Sequence, residues 1–244
     1  VWSLFGNLAS VFSGQGVNVV LNMFFGPAVN AARGVAFQVQ SAVNAFSGNF
    51  QMAMNPQITK NYANGKIESM HSLIFASSKY SYYLLFMISL PVILESETIL
   101  NIWLTNVPPH TVNFLRIVLF TTITNAMAGP FTISAQANGN IKLYQAVVGG
   151  ILLLTLPISY VGLKICHIPE IVYFVDFIIV LIAQIVRLYF MRWMVGLSVI
   201  VYAKKVILPV VAVTIISIII PLFTYINMPK GTILSFFSVC LLSL

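Results

Sequence analysis

Val206-Ile-Leu-Pro-Val-Val-Ala-Val-Thr-Ile-Ile-Ser-Ile-Ile-Ile220 carries no charge and shows no alternation of apolar with polar side chains, and Ile151-Leu-Leu-Leu-Thr-Leu156 reads the same way. Strands of a membrane barrel are about 10 residues long and alternate, so such runs are helical. Outward from these runs the charges thin out in a regular way. Nothing ionisable precedes Arg33, and no Lys, Arg, Asp or Glu lies between Arg33 and Lys60, Arg116 and Lys142, Lys142 and Lys164, or Lys205 and Lys230. A hydrocarbon core about 30 Å thick takes about 20 residues at 1.5 Å each, and every one of these gaps is longer than that. The pattern predicts an all-α, polytopic transmembrane bundle.

The composition agrees. Of 244 residues, 59% are hydrophobic and 7% charged, against roughly 45 to 50% and about 25% in soluble domains. The net charge of +7 comes from single basic residues scattered through apolar sequence, which form no stripe of the kind that binds nucleic acid. Cys166 and Cys240 make neither a metal spacing nor a disulfide framework.

Turn chemistry at Gly26-Pro27, Asn64-Gly65, Pro108-Pro109, Asn138-Gly139, Pro169 and Pro229 divides the chain into segments 2–25, 33–59, 73–94, 112–137, 143–163, 171–193, 206–226 and 232 onward, about seven to eight spans. With alternate loops on opposite sides, Lys60, Lys66, Lys79, Lys142, Arg187, Arg192, Lys204 and Lys205 share one side, and Arg33, Arg116, Lys164 and Lys230 the other. The positive-inside rule makes the first side cytoplasmic, so the first segment runs outward. Trp2 and Trp193 then fall at inner helix ends and Trp103 in the outer loop Glu95 to Val112. Within that loop Ile99 to Leu104 reads as a short amphipathic surface helix, or as irregular chain. Ala63-Asn64-Gly65-Lys66-Ile67 recurs as Ala137-Asn138-Gly139-Asn140-Ile141, by duplication or by common turn chemistry. The chain opens on Val1 and closes on Leu244 inside apolar segments, which leads us to expect a fragment with helices upstream and part of a helix downstream.

Polar side chains concentrate in the first two segments. Ser3, Asn7, Ser10, Gly14, Asn18 and Asn22 recur at steps of three or four, as do Ser41, Asn44, Gly48, Gln51, Asn55 and Thr59. Amides facing hydrocarbon are costly, so these faces either pack against other helices or line an aqueous cavity. On the cavity reading, Asn7, Asn18, Asn22, Ser41, Asn44, Gln51 and Asn55 line it. Arg33 opens the second helix close to that face. It either enters the cavity, where its planar donors suit phosphate or carboxylate, or snorkels to the headgroups.

Asp176, Gln184 and Arg187 share one helix face. Asp176, with Gln184, is a candidate for ion or proton coupling, against a solvated carboxylate at a helix end. Pro56, Pro91, Pro130, Pro157, Pro209 and Pro221 loosen the helices that hold them. No phosphate loop, nucleophile elbow or paired-carboxylate motif is present, and His71, His110 and His167 all lie at loops, so the sequence implies no enzyme, cofactor or metal.

Phe25-Gly26-Pro27 with Asn30-Ala31-Ala32-Arg33-Gly34, Asn55-Pro56-Gln57-Ile58-Thr59-Lys60, Tyr62-Ala63-Asn64-Gly65-Lys66, Ile99 to Leu104 and Ala135 to Lys142 together resemble the second half of Wzx-type polysaccharide and lipopolysaccharide biosynthesis flippases of the MATE-like superfamily. The resemblance implies two six-helix lobes facing a central cavity, followed by two extra helices. Residues 1–194 would be the second lobe and 195–244 the extra pair, the last cut short. It further implies a multi-pass protein of the bacterial inner membrane. Such a protein moves an undecaprenyl-pyrophosphate-linked oligosaccharide, such as an O-antigen unit, between leaflets by alternating access. Its partners would be the missing N-terminal lobe, membrane lipids and other polysaccharide assembly proteins. Arg33 matches a cavity-side arginine of related lipid flippases that engages pyrophosphate. Residues 145–163 lack the Asp, Asn or Glu with which some relatives bind sodium, which puts sodium coupling in doubt. A multidrug exporter of the same superfamily would want a more acidic or aromatic pocket. A membrane enzyme acting on lipid-linked sugars would want a larger outer loop.

Overall fold

The computed structural model describes residues 2–227, all but a few with their side chains. The segment predicted from 232 onward lies outside them, as do the side chains of Trp2, Ser3, Asn7 and Ser10. The chain forms α1 (Trp2–Phe25), α2 (Pro27–Ala63), α3 (Ile67–Leu94), α4 (Ser96–Trp103), α5 (Thr111–Asn125), α6 (Gly129–Asn138), α7 (Ile141–Leu153), α8 (Thr155–Cys166), α9 (Ile171–Val195), α10 (Val199–Tyr202) and α11 (Leu208–Asn227). No strand occurs among the described residues. Five rods have the length and apolarity to cross a membrane: Ile67–Leu94, Thr111–Asn138, Ile141–Cys166, Ile171–Val195 and Val199–Ile219. The protein is a multi-pass, all-α membrane protein. α2 is the longest helix, at 37 residues, yet falls outside this set because its own sequence is too polar. The segment expected at Ile99 to Leu104 is helical as α4, which begins three residues earlier and ends at Trp103, with Leu104 extended.

Three of the rods are interrupted, and each interruption lies one turn before a proline. A proline in a helix removes the hydrogen bond to the carbonyl four residues back and crowds that carbonyl. Pro130 therefore disturbs Ala126, and α5 passes into α6 through a 3₁₀ turn at Ala126–Ala128. Pro157 disturbs Leu153, where α7 gives way to α8. Pro209 disturbs Lys205, inside a wide turn at Ala203–Ile207 between α10 and α11. Pro56 and Pro91 sit in helices that continue through them.

The carbonyl freed at Ala126, and two others beside the breaks, are met by side chains from other helices. Gln51 Nε2 on α2 donates to Ala126 O at 2.8 Å and to Ser81 Oγ on α3 at 3.1 Å. Ser78 Oγ donates to Met127 O, and Ser13 Oγ on α1 donates to Leu152 O near the α7–α8 break. Buried carbonyls need such partners because no water reaches them in a bilayer.

These bonds form a polar layer between two apolar clusters. One cluster joins Leu21, Ala32, Leu85, Leu100, Phe114, Leu119 and Leu163. The other joins Ile58, Met70, Ile74, Phe131, Met191, Leu197 and Tyr202. On α2 the order is Val43, then Ser47 and Gln51, then Ile58; on α3 it is Ile74, then buried Ser77, Ser78 and Ser81, then Leu85. Each helix is thus oily, polar and oily again along its buried side.

The two ends are tied by specific contacts. At one end Asn138 Nδ2 donates to Tyr62 Oη at 2.8 Å and to Met194 O at 3.0 Å, beside the turn in which Gly139 takes φ 82°. In the earlier Asn-Gly copy, Asn64 is exposed and Gly65 takes φ 71°. What the two copies share is therefore the helix-ending turn, which needs a left-handed residue and favours glycine. At the other end Arg116 Nε donates to Ile93 O, and His110 reaches Glu170.

Candidate functional site

A cavity of about 520 Å³ opens within the polar layer, walled by α1, α2, α5, α6, α7 and α9. α2 supplies the longest wall. Arg33, Phe37, Gln40, Asn44, Ser47, Gly48 and Gln51 line the cavity at steps of three or four, one face of the helix. α5 contributes Thr121, Thr122 and Asn125, and Gln40 Nε2 donates to Thr122 Oγ1 at 2.8 Å across the gap. α9 contributes Tyr173, Asp176 and Arg187.

Arg33 is 5% exposed. It does not snorkel: Nε donates to Asn18 Oδ1 and one terminal nitrogen donates to Gly14 O at 2.8 Å, both on α1. Its guanidinium carbon stands 4.2 Å from the centre of the Phe37 ring, a cation–π contact. Asp176 is near enough to attract it electrostatically. A buried guanidinium is costly unless it is compensated, and here two of its five donors are bonded, its face meets the Phe37 ring and Asp176 attracts it. The residues before it explain the geometry. Gly26 at φ 76° turns the chain out of α1, and Pro27 at the first position starts α2, so α2 folds back along α1 and Arg33 meets Asn18.

Glycine makes room at two further places. A Cβ on Gly129 would lie 1.9 Å from Gln51 Oε1, and one on Gly6 would lie 2.0 Å from Gln145 Oε1. Two amide side chains of the cavity wall therefore depend on a missing methyl opposite.

Arg33, Asn44 and Gln51 line the cavity, and Asn18 acts through Arg33. Asn7 lies outside the described side chains. Asn22 and Ser41, expected in the wall, are exposed and outside the lining; Asn55, half-buried, is outside it too. The reason is phase and depth. The wall of α2 follows Gln40 rather than Ser41, a turn of about 100° away. Asn22 follows Leu21, which belongs to one apolar cluster, and Asn55 precedes Ile58 of the other, so both lie beyond the polar layer. Asp176 faces the cavity, but Gln184 is not in the lining: its Nε2 donates to Thr124 O at 2.9 Å and ties α9 to α5. The pair proposed for ion coupling is therefore not brought together.

Gln40, Thr121, Thr122, Asn125, Tyr144, Gln145 and Arg187 also line the cavity and were not expected to. For Arg187 a signal existed, since it shares a face with Asp176, but its loop-side position suggested a topology charge. At the end of the bundle, outside the spans, Glu170 accepts from Asn113 Nδ2 at 3.0 Å and approaches His110 Nδ1 at 2.6 Å. Burial pushes its carboxyl up, but the hydrogen bonds from Asn113, His110 and its own backbone outweigh burial and hold it below the ordinary value. Among the described residues no group of three His, Cys, Asp or Glu could hold a metal.

Comparison with known protein families, with characterised proteins and with solved structures finds no match to this chain.

Proposed function

We propose that the chain is the second lobe of a flippase that carries a lipid-linked oligosaccharide across a bacterial inner membrane by alternating access. One observation carries this reading: the exposed side of α2 carries amides and small residues, with Gln38, Ser41, Asn44, Asn49 and Gln57 uncovered among Phe37, Phe46 and Met52, and it is continuous at Asn44 with the cationic cavity. In a bilayer such a side must meet water or protein, because each amide left in hydrocarbon costs several kcal/mol. A facing lobe with a wet cleft between the two supplies both. Amides along that side offer hydrogen bonds to sugar hydroxyls, while the prenyl chain stays in lipid. Two buried arginines in the cavity favour an anionic head over the organic cations of a drug exporter.

The test is export in a strain lacking its own flippase, with the full-length protein supplied. Surface polysaccharide should return, and Arg33→Ala, which frees α2 from Asn18 and Gly14, should abolish it. No recovery with the unaltered protein, in a strain whose sugar unit it accepts, would defeat the reading. Full recovery with Arg33→Ala would remove Arg33 from the mechanism.

A further inference from the structure

The two arginines of the cavity differ in what surrounds them. Arg33 has Asn18, Gly14, Phe37 and Asp176. Arg187 lies on α9 about 16 Å from Asp176, judged from the residue separation at 1.5 Å per residue. It is 7% exposed and lines the same cavity. One terminal nitrogen donates to Asn125 Oδ1 at 3.1 Å, and the Tyr144 hydroxyl lies against the guanidinium. Its Nε is buried and has no partner.

The chain has five acids, and none of them lies within ion-pair distance of Arg187; Asp176 lines the same cavity but stands about three turns away along α9. Glu68 is exposed on the first turn of α3, Glu95 and Glu97 are at the α3–α4 corner, Glu170 holds His110, and Asp176 is the acid that acts on Arg33. Among the described residues, the one carboxylate within ion-pair distance of a basic side chain is Glu170. Arg187 is thus a buried cation with a neutral shell and a donor left over, placed on the wall of an open cavity. A buried charge of this kind needs a counter-ion, and among the described residues no carboxylate lies within ion-pair distance of it. The surrounding groups suit an oxyanion: a planar fork, the Tyr144 hydroxyl bonded at 3.1 Å to Thr132 Oγ1, and the amide nitrogen of Asn125, whose oxygen is already engaged.

We propose that Arg187, Tyr144 and Asn125 form an anion subsite for a phosphate or diphosphate group, distinct from the internally compensated Arg33. The proposal rests on the transport reading only for the identity of the anion, the diphosphate head of a lipid-linked sugar. The subsite itself stands on the geometry of α5, α7 and α9.

The experiment uses the full chain in lipid nanodiscs, with two probes: inorganic pyrophosphate and a polyprenyl diphosphate. Arg187→Gln should weaken binding about tenfold or more, the loss expected for a charge-assisted hydrogen bond. Asn125→Asp places a carboxylate on the guanidinium; it should weaken binding to a similar extent while raising the melting temperature, which separates the loss of the site from misfolding. Arg116→Gln, which removes a charge far from the cavity, should leave binding unchanged. Wild-type affinity in both Arg187→Gln and Asn125→Asp, equal weakening by Arg116→Gln, or no binding of either probe to the wild type would each overturn the subsite. Binding of inorganic pyrophosphate alone, sensitive to Arg187, would support the subsite and count against a lipid-linked cargo. Export of polysaccharide without Arg187-dependent binding would do the reverse.

Discussion

α2 and α9 each deliver one buried arginine to the same cavity, but their outer sides differ in chemistry. On α9 the exposed residues are Phe174, Ile178, Leu181, Ile182, Ile185, Tyr189 and Trp193, with Arg192 near the end. On α2 they include Gln38, Ser41, Asn44, Ala45, Gly48, Asn49 and Gln57, with Phe37, Phe46 and Met52 among them. A lipid-facing helix is apolar outside and can be polar within, whereas α2 lines the cavity with polar groups and also exposes amides on its outer side, beside Phe46 and Met52. The difference gives the bundle an apolar outer side at α8, α9 and α11 and a strip of exposed amides and small residues along α2.

The largest expected effect contrasts those sides directly. Ile185, 71% exposed on α9, should tolerate no charge: Ile185→Arg should cost about 2.5 to 3.5 kcal/mol in a membrane-insertion assay. Ala45→Arg, at the middle of α2, should cost well under about 1 kcal/mol in the full-length protein. Equal penalties would mean that α2 faces lipid after all.

Next comes the inner side of α2. Gly129→Ala should expel Gln51 from Ala126 O and lower stability by about 2 kcal/mol in a detergent melt, since a buried carbonyl loses its partner. Gly48→Ala, with nothing within 4 Å of the added carbon, should be neutral or slightly stabilising. A reversed order would show that Gln51 does not hold the α5–α6 break.

α9 is anchored at its start by Glu170. Because this carboxyl sits below its ordinary value when folded, its contribution is complete above the unfolded value and is lost as pH falls through the folded one. Glu170→Gln should therefore cost about 1 kcal/mol at neutral pH and nothing in strong acid, where the two melting curves converge. A constant difference at all pH values would point to packing rather than charge. The smallest effect should come from Ser41→Ala on the uncovered side of α2, within about 0.5 kcal/mol in the same melt. A larger loss would mean that Ser41 is covered in the lobe itself.

Spans and loops were legible in the chain because each is a local matter: a charge-free run of bilayer length becomes a rod whatever its neighbours are. The breaks were legible only as candidates, since Pro130, Pro157 and Pro209 interrupt their helices while Pro56 and Pro91 do not. The amide content of α1 and α2 was equally plain. Its phase was not: Gln40 rather than Ser41 faces inward because the rotation of α2 is set by Arg33 reaching α1, Gln40 reaching α5 and Gln51 reaching the 3₁₀ turn, contacts between residues far apart in sequence. The different conditions of Arg33 and Arg187 were likewise hidden, since a counter-ion is a property of the helices that pack alongside. Local sequence prescribes where helices start and end; only packing in three dimensions decides which prolines break them and assigns each polar side chain to a wall, a bond or an open face.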